Sequence, residues 1–298
     1  MTHRKLVPFC LLLLAPFNRA ESPATSATIA YARQLQVHKS GFRPSASQPK
    51  PSLRATLGAL RVLKYCGGTP PDKNATAAFV QSCFDRESGG FADVPGGKPN
   101  VFTTSVGAMV LVELGLPTKE YESAILKYLG RNVKGFEDTR IAAAGLEALG
   151  QRPPEAVQWL DQLKKLRQRD GRYGEGNGGA RDTGGTVVAI MRLGGKVTHE
   201  KEILGTLDAS QKRDGGFGRD ETDISDLDTS YRVMRCYHML KAKPDAAGLF
   251  AFIERCHNTD GGYGVAPGQP SNIGATYNAA IIRHWLAERS VPPSVPRP

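Results

Sequence analysis

The sequence predicts an all-α fold: an α/α toroid in which six inner helices form a barrel and six outer helices surround it. Two observations lead to this prediction. About six repeated helical-hairpin units carry Gly-Gly-aromatic turns, and helical patterning flanks each turn. Because the first and last units resemble the internal ones rather than the polar caps of an open solenoid, the sequence favours a closed ring.

A turn of glycine and an aromatic residue opens each repeat and accounts for much of the chain's 33 glycines. Glycine permits the left-handed backbone of a helix end and the close approach of two segments. The turns therefore mark the ends of outer helices. The six copies are Gly41-Phe42, Gly90-Phe91, Gly135-Phe136, Arg172-Tyr173, Gly216-Phe217 and Gly262-Tyr263.

A threonine follows each turn and opens an apolar segment. Segments such as 106–114 are apolar on nearly all sides, which predicts an inner helix with little contact to water. Asp138, Asp182 and Asp228 directly precede three of the threonines, and we predict that they cap inner helices. The six threonines are Thr56, Thr104, Thr139, Thr183, Thr229 and Thr276.

The segment before each turn is amphipathic. Leu249, Phe252, Ile253 and Cys256 recur at helical spacing, with polar residues between them. This pattern is typical of a helix that buries one stripe and exposes the rest, so these segments are predicted to form the outer helices.

Residues 1–20 have the features of a signal peptide: a basic start, an apolar stretch and Ala20 at the cleavage position. Residues 21–26 are predicted to be a short linker, residues 27–290 the toroid and residues 291–298 a Pro-rich tail. The apolar stretch is too short to span a bilayer, so no integral membrane segment is expected after cleavage. We expect an exported protein, periplasmic or secreted; without a functional signal it would be cytoplasmic.

The formal net charge is +10, from 39 basic and 29 acidic residues. The basic residues are scattered and form no stripe interleaved with aromatic residues, so they are expected to solvate the surface. A nucleic-acid partner is not expected.

Cysteine spacing argues against both a disulfide and a Cys-based zinc site. No CxxC pair is present, and the cysteines nearest in sequence would lie about 15 Å apart in antiparallel helices, beyond disulfide reach. We predict unpaired thiols at Cys66, Cys83, Cys236 and Cys256.

The repeats resemble those of the protein prenyltransferase β subunits and the squalene cyclases over residues 27–290. Locally the chain is most similar to the geranylgeranyl transferase type II β subunit, at residues 79–83 and 89–93. The resemblance implies an α/α toroid whose central cavity binds an isoprenoid, another apolar ligand or a peptide, with an α-subunit-like partner.

In that family an Asp, a Cys and a His hold a zinc ion that ionises the acceptor thiol. By resemblance, Asp226 occupies the place of the Asp ligand. Asp228 replaces the Cys ligand and Ala275 replaces the His ligand. Zinc is therefore implied only by resemblance, and no cofactor is certain.

The resemblance also assigns the remaining site residues. Asp226 and Asp228 are the candidate catalytic groups. An acidic segment that also includes Asp220, Glu221 and Asp223 stands where the family has basic residues for the diphosphate. The candidate substrate-binding residues are Arg219, Thr229, Tyr231 and Arg232.

Residues 225–230 also resemble the aspartate-rich motif with which squalene cyclases protonate their substrate. Aligning Asp228 and Thr229 with the end of that motif places Leu227 at the acid position. Three hypotheses remain open: a divergent protein prenyltransferase β-subunit-like enzyme with an incomplete zinc site, a non-catalytic exported binding or scaffold toroid, and a terpene cyclase-like enzyme of the squalene type.

Overall fold

The computed structural model describes residues 23–174, 179–219 and 223–288. Within these ranges the chain forms twelve α-helices and no β-strand, with isolated bridges beside the turns. The helices are α1 (Pro23–Gln34), α2 (Leu53–Cys66), α3 (Lys73–Ser82), α4 (Val101–Leu114), α5 (Lys119–Asn132), α6 (Gly135–Leu149), α7 (Ala156–Lys165), α8 (Ala180–Arg192), α9 (Glu200–Ala209), α10 (Leu227–Met239), α11 (Ala246–Arg255) and α12 (Ile273–Glu288).

The even-numbered helices form a closed inner ring. Each packs on the next, from α2 to α12, and α12 packs back on α2. An outer helix returns the chain between successive inner helices, so the six inner helices run in the same direction and begin at one mouth of the barrel. The predicted α/α toroid is confirmed.

The odd-numbered helices surround this ring and are amphipathic, as predicted. Helix α1 packs on α2, α3 on α4, α7 on α8 and α11 on α12. Helix α11 buries Leu249, Phe252 and Ile253 on one stripe, whereas most residues of α4 are buried. The two kinds of helix therefore differ in burial as their sequences indicate.

One hydrogen bond recurs where a turn meets its inner helix. In five units the hydroxyl of the fourth residue of the inner helix accepts a hydrogen bond from the backbone N–H of the turn aromatic, and both groups are buried. The pairs are Phe42 with Thr56, Phe91 with Thr104, Tyr173 with Thr183, Phe217 with Ser230 and Tyr263 with Thr276, each at 3.0 Å.

Two glycines show how closely the elements approach. A Cβ at Gly107 of α4 would lie 2.3 Å from Cγ of Phe91, so the turn aromatic rests directly on the helix backbone. A Cβ at Gly145 of α6 would lie 3.0 Å from Cα of Ser105 on α4. A larger residue at Gly107 would displace the turn aromatic, and one at Gly145 would push α6 away from α4.

The predicted helix caps are wrong. Helices α6 and α8 begin three and two residues before Asp138 and Asp182, which therefore lie inside the first turn. Helix α10 is capped by Asp226 rather than by Asp228, and its carboxylate accepts from the backbone N–H of Thr229 at 2.7 Å. The prediction placed the cap next to the hydroxyl that binds the turn aromatic, which we call the anchoring hydroxyl. In α10 the cap stands four residues before that hydroxyl.

The third and fifth units also depart from the predicted pattern. Phe136 lies inside α6 rather than in a turn, because only two residues separate α5 from α6 and leave no room for the longer turn. Thr139 donates to the carbonyl of Gly135 at 2.8 Å, as Thr56 and Thr276 do to the carbonyl four residues before them, and no described turn aromatic donates to it. In the fifth unit Ser230, not Thr229, is the anchoring hydroxyl.

No disulfide joins any two of the four cysteines in the described part of the chain, as predicted, and all except Cys66 are buried. Burial raises the pKa of the Cys83 and Cys256 thiols to about 12. No helix among the described residues has the length and apolar character needed to cross a membrane.

Two buried threonines on inner helices allow a test of the recurring hydrogen bond. Thr104→Val leaves the buried N–H of Phe91 without its acceptor, so we expect a loss of about 1–3 kcal/mol in the free energy of unfolding. The matched control is Thr186→Val, because the hydroxyl of Thr186 is fully buried and has no hydrogen-bond partner among the described residues.

Thr186→Val is expected to be neutral or stabilising, since it removes an unsatisfied polar atom. Urea unfolding of both variants measures the difference. Equal destabilisation by the two substitutions would show that the hydrogen bond is not the stabilising element.

Candidate functional site

A cavity of about 320 Å³ lies at the centre of the inner ring. All six inner helices contribute to its wall, mainly through residues in their N-terminal halves. The apolar part of the wall consists of Leu57, Phe102, Val106, Met109, Ile141 and Ala144.

The polar part of the wall is dominated by arginine. Among the described residues that line the cavity, Asp228 is the one carboxylate. Cations on one concave surface raise the local concentration of anions, because their fields add inside the cavity. The arginines are Arg54, Arg61, Arg140, Arg181, Arg192 and Arg232.

Arg140 and Arg232 share one carboxylate. Both terminal nitrogens of Arg232 donate to Glu137, at 2.8 and 3.1 Å, and Nε of Arg140 donates to the same group at 3.0 Å. Burial opposes the charge of Glu137, but the hydrogen bond from Arg232 and the charge of Arg140 lower its pKa to about 2. Two guanidinium groups are thus balanced by a single carboxylate.

Arg181 adds a third guanidinium beside this pair. It donates to the hydroxyl of Thr229 at 3.1 Å, and no described carboxylate lies within 4 Å to form an ion pair with it. Burial and the charge of Arg232 lower the pKa of Arg181, and the same two causes lower the pKa of Arg140. The three cations repel one another in a site that holds too few anions.

Asp228 lies in the cavity with its side chain accessible. Its Oδ1 accepts from Nδ2 of Asn278 at 2.7 Å. Burial within the cavity and the nearby charge of Asp226 raise the pKa of Asp228, against the opposing charges of Arg181 and Arg232. The carboxyl is therefore easier to protonate than an ordinary aspartate.

Two tyrosines lie deeper in the cavity. The hydroxyls of Tyr231 and Tyr277 are 3.1 Å apart, and Nε of Arg235 donates to Tyr231 at 3.1 Å. Arg61 donates to Tyr277 at 3.3 Å. Burial favours the neutral phenol, but the charges of Arg235, Arg192 and Arg61 lower the pKa of Tyr231. Burial and the adjacent Tyr231 raise the pKa of Tyr277.

The structure brings together some of the residues singled out from the sequence. Asp228, Tyr231 and Arg232 line the cavity, and Thr229 lies behind Arg181. Arg219 is exposed and its carbonyl accepts from Nζ of Lys212 at 3.0 Å. Asp220 and Glu221 lie outside the described residues, and Asp223 is exposed.

Sequence analysis missed most of the cavity arginines. The expectation that basic residues solvate the surface is wrong here, since the side chains of Arg61, Arg140 and Arg192 are 16%, 16% and 8% exposed. A signal did exist. In α2, α4, α10 and α12 the second and the sixth residue of the helix line the cavity. Four of the cavity arginines occupy one of these two positions in their own helix: Arg54, Arg140, Arg181 and Arg232.

The residues at the family's zinc positions do not fit a zinc ion. Asp226 accepts the backbone N–H and, at 2.8 Å, the hydroxyl of Thr229, while Asp228 bonds to Asn278 and Ala275 offers no ligand atom. Zinc prefers three or four ligands that include imidazole or thiolate. No group of three His, Cys, Asp or Glu side chains within the described ranges is placed to hold a metal.

The chain belongs to the family described as the prenyltransferase alpha-alpha toroid domain, whose sequence model matches residues 3–72, 69–127 and 118–291. The superfamily indicated by the glycine-aromatic repeats is therefore confirmed. A comparison with curated protein sequences gave no match.

Solved structures share the fold. Protein geranylgeranyltransferase-I of Candida albicans in complex with GGPP superposes with a TM-score of 0.72, at 13% identity over 89% of this chain and 92% of that one. The type II terpene cyclase MstE from Scytonema gives 0.61, at 11% identity over 90% and 97%. A glycosidase in complex with glucose gives 0.59, at 12% identity over 89% and 95%. At these identities the likeness establishes the fold alone.

The structural role of Asp226 can be tested directly. Asp226→Ala removes the acceptor for the first turn of α10, so we expect the free energy of unfolding to fall by about 1–2 kcal/mol. Asp223→Ala, at an exposed position just before it, is the control and should change stability by less than about 0.5 kcal/mol. Thermal unfolding with and without a chelator measures both; a stability loss that depends on the chelator would indicate a metal ligand instead.

Proposed function

We propose that the protein binds an anionic ligand with an apolar tail in its central cavity, and that an isoprenoid diphosphate is the first ligand to test. The convergence of Arg140, Arg181 and Arg232 beside an apolar wall carries this proposal. Guanidinium groups bind phosphate and carboxylate oxygens through paired, charge-assisted hydrogen bonds. Apolar side chains opposite them suit a hydrocarbon tail.

The electrostatics of the ligand-free site support an anion in particular. Arg140 and Arg232 share the carboxylate of Glu137, and burial and the charge of Arg232 lower the pKa values of Arg140 and Arg181. A bound anion offsets that repulsion, so part of its binding free energy comes from relieving a cost already present in the fold. A neutral ligand of the same shape lacks this contribution.

The size of the cavity favours a short tail. A volume of about 320 Å³ lies at the lower end of the range for small-molecule sites, about 300–1,000 Å³. We therefore expect the geranyl and farnesyl chains to fit better than geranylgeranyl. The GGPP bound to the Candida albicans protein supports the ligand class and not its length.

The departure from the family's zinc ligands favours binding without zinc-dependent transfer to a thiol. Within the family, this chain is then a divergent protein prenyltransferase β-subunit-like toroid that retains the ligand cavity. A non-catalytic, exported binding or scaffold protein with this cavity remains part of the proposal, as does an α-subunit-like partner. Export itself depends on residues 1–20, which lie outside the described ranges.

One observation favours a second function, terpene cyclisation by an acid. Asp228 projects into the cavity and its pKa is raised by burial and by Asp226, as an acid that protonates an alkene requires. Asp228 is therefore the candidate acid. Alignment with the cyclase motif had placed Leu227 at the acid position, and leucine cannot donate a proton. A type II terpene cyclase shares the fold.

The binding proposal predicts the effect of one arginine substitution. Arg181→Met keeps the length of the side chain and removes its charge, so we expect affinity for farnesyl diphosphate to fall about 10- to 100-fold. Because the charge of Arg181 is disfavoured in the ligand-free fold, the unfolding temperature of the ligand-free variant should not fall. Isothermal titration calorimetry measures binding.

Arg213→Met is the matched control, since Arg213 is exposed and lies away from the cavity. Farnesol is the ligand control and should bind far more weakly than the diphosphate. Equal affinities for farnesol and farnesyl diphosphate, or a loss of affinity with Arg213→Met equal to that with Arg181→Met, would refute the anion site.

Catalysis is tested separately with labelled geranyl, farnesyl and geranylgeranyl diphosphates. Transfer of label to a cysteine peptide would establish the prenyltransferase activity, whereas a cyclised product that keeps its diphosphate would establish the cyclase. For the cyclase we expect Asp228→Asn to abolish turnover and leave binding within about threefold of the parent protein. Binding with neither product would support the non-catalytic toroid.

A further inference from the structure

The paired tyrosines of the cavity surround a cation that has no carboxylate partner. Arg235 donates to the hydroxyl of Tyr231 at 3.1 Å and to that of Tyr277 at 3.4 Å. Its guanidinium also lies over the rings of Tyr231 and Trp285, at 5.0 and 4.7 Å from the ring centres. No described carboxylate lies within 4 Å of Arg235.

Tyr231 faces charged groups from the surrounding inner helices. Helix α2 contributes Arg61, which is paired with Glu113 at 3.0 Å, and α8 contributes Arg192, which is paired with Glu147 at 2.9 Å. Helix α6 contributes Arg140, and α12 contributes the phenol of Tyr277. On α10 itself, Arg235, Arg232 and Asp228 flank the tyrosine. Cations therefore outnumber carboxylates on the sides that face the Tyr231 hydroxyl.

A cation enclosed by protein is stable only with an anion or a polar partner close by. Arg61 and Arg192 have their own glutamates, but the nearest groups to Arg235 that can become anionic are the two phenols. Tyr231 accepts from Nε of Arg235 and can also accept a hydrogen bond from Tyr277, so its ionised form is held by two donors.

We propose that Tyr231 is the proton-exchanging group of the cavity, losing its proton in the ligand-free protein and regaining it when an anionic ligand binds. The second half of this inference rests on the proposed anion-binding function, and the first half does not. The physical reason is competition: a phenolate and a ligand anion are attracted by the same guanidinium groups and repel each other. The lowered pKa of Tyr231 is consistent with this arrangement.

The sign of the pH dependence follows from linkage. Because the bound anion raises the pKa of Tyr231, binding is tightest below the pKa of the ligand-free protein, where the phenol is already neutral. Affinity falls as the pH rises through that pKa, since each binding event must then take up a proton. Above the pKa of the complex, affinity no longer changes.

The first half is tested without any ligand by the ultraviolet absorbance of tyrosinate. We expect the parent protein to show one phenol that ionises below the usual tyrosine pKa of about 10. Tyr231→Phe should abolish this transition, and Tyr128→Phe, at a half-buried tyrosine outside the cavity, should retain it. Should Tyr231→Phe fail to fold, Arg235→Met serves instead and should move the transition to higher pH.

A parent protein in which no tyrosine ionises below about pH 10 would overturn the proposal, as would a low transition that persists in Tyr231→Phe. A transition whose pH does not change in Arg235→Met would also overturn the proposal, because the proposal assigns Arg235 as the cation that stabilises the phenolate.

The second half is tested by calorimetry with sulfate, whose own charge is constant over the range used. At about pH 9, titrations in two buffers of different ionisation enthalpy should show uptake of up to about one proton per sulfate, and at about pH 6 almost none. Tyr231→Phe should bind sulfate with no uptake at either pH.

Sulfate that binds the parent protein with no proton uptake at about pH 9 would overturn the coupling. Failure of sulfate to bind at all would count against the anion site and against the coupling with it. The absorbance titration would still decide whether Tyr231 ionises, so failure of the proposed function and failure of this inference give different results.

Discussion

The hydrogen bond from the turn aromatic to the fourth residue of the inner helix is the contact on which the toroid depends. It fixes the direction in which each turn enters its helix and holds the aromatic ring in the core; Phe91, for example, lies against the backbone of α4 at Gly107. Because this hydrogen bond is present in five of the six units, successive inner helices present equivalent faces to one another. The ring closes because the angles between units repeat, and the cavity exists because the ring closes.

Much of the fold could be predicted because each repeat depends on residues whose backbone or hydrogen-bonding requirements few other residues meet. Glycine at the helix ends and a hydroxyl four residues into the inner helix are steric and hydrogen-bonding necessities, so they recur in the sequence. The failures have physical causes. The two-residue connection before α6 cannot form the long turn, which moved Phe136 into the helix, and adjacent hydroxyls at Thr229 and Ser230 left the register of α10 ambiguous by one position.

The site was less predictable because its residues come together only through closure of the ring. Arg140, Arg181 and Arg232 stand on three helices more than forty residues apart, and nothing local marks one arginine as inward-facing. Asp226 matches the family's zinc-ligand position in sequence, yet in the structure it serves as a helix cap. Once the anchoring hydroxyl sets the register of an inner helix, its second and sixth positions follow by counting, and Arg181 and Arg232 stand at such positions.

The packing of α12 on α2 has a consequence for how the molecule folds. In an open solenoid each repeat touches only its neighbours, so folding starts anywhere and stability is nearly a sum over repeats. Here the last contact joins segments about two hundred residues apart, and its loop-closure entropy is repaid only when all six hairpins are in place. The toroid is therefore a single cooperative unit: losing one hairpin exposes both neighbours at once, and partly formed rings have no stable length.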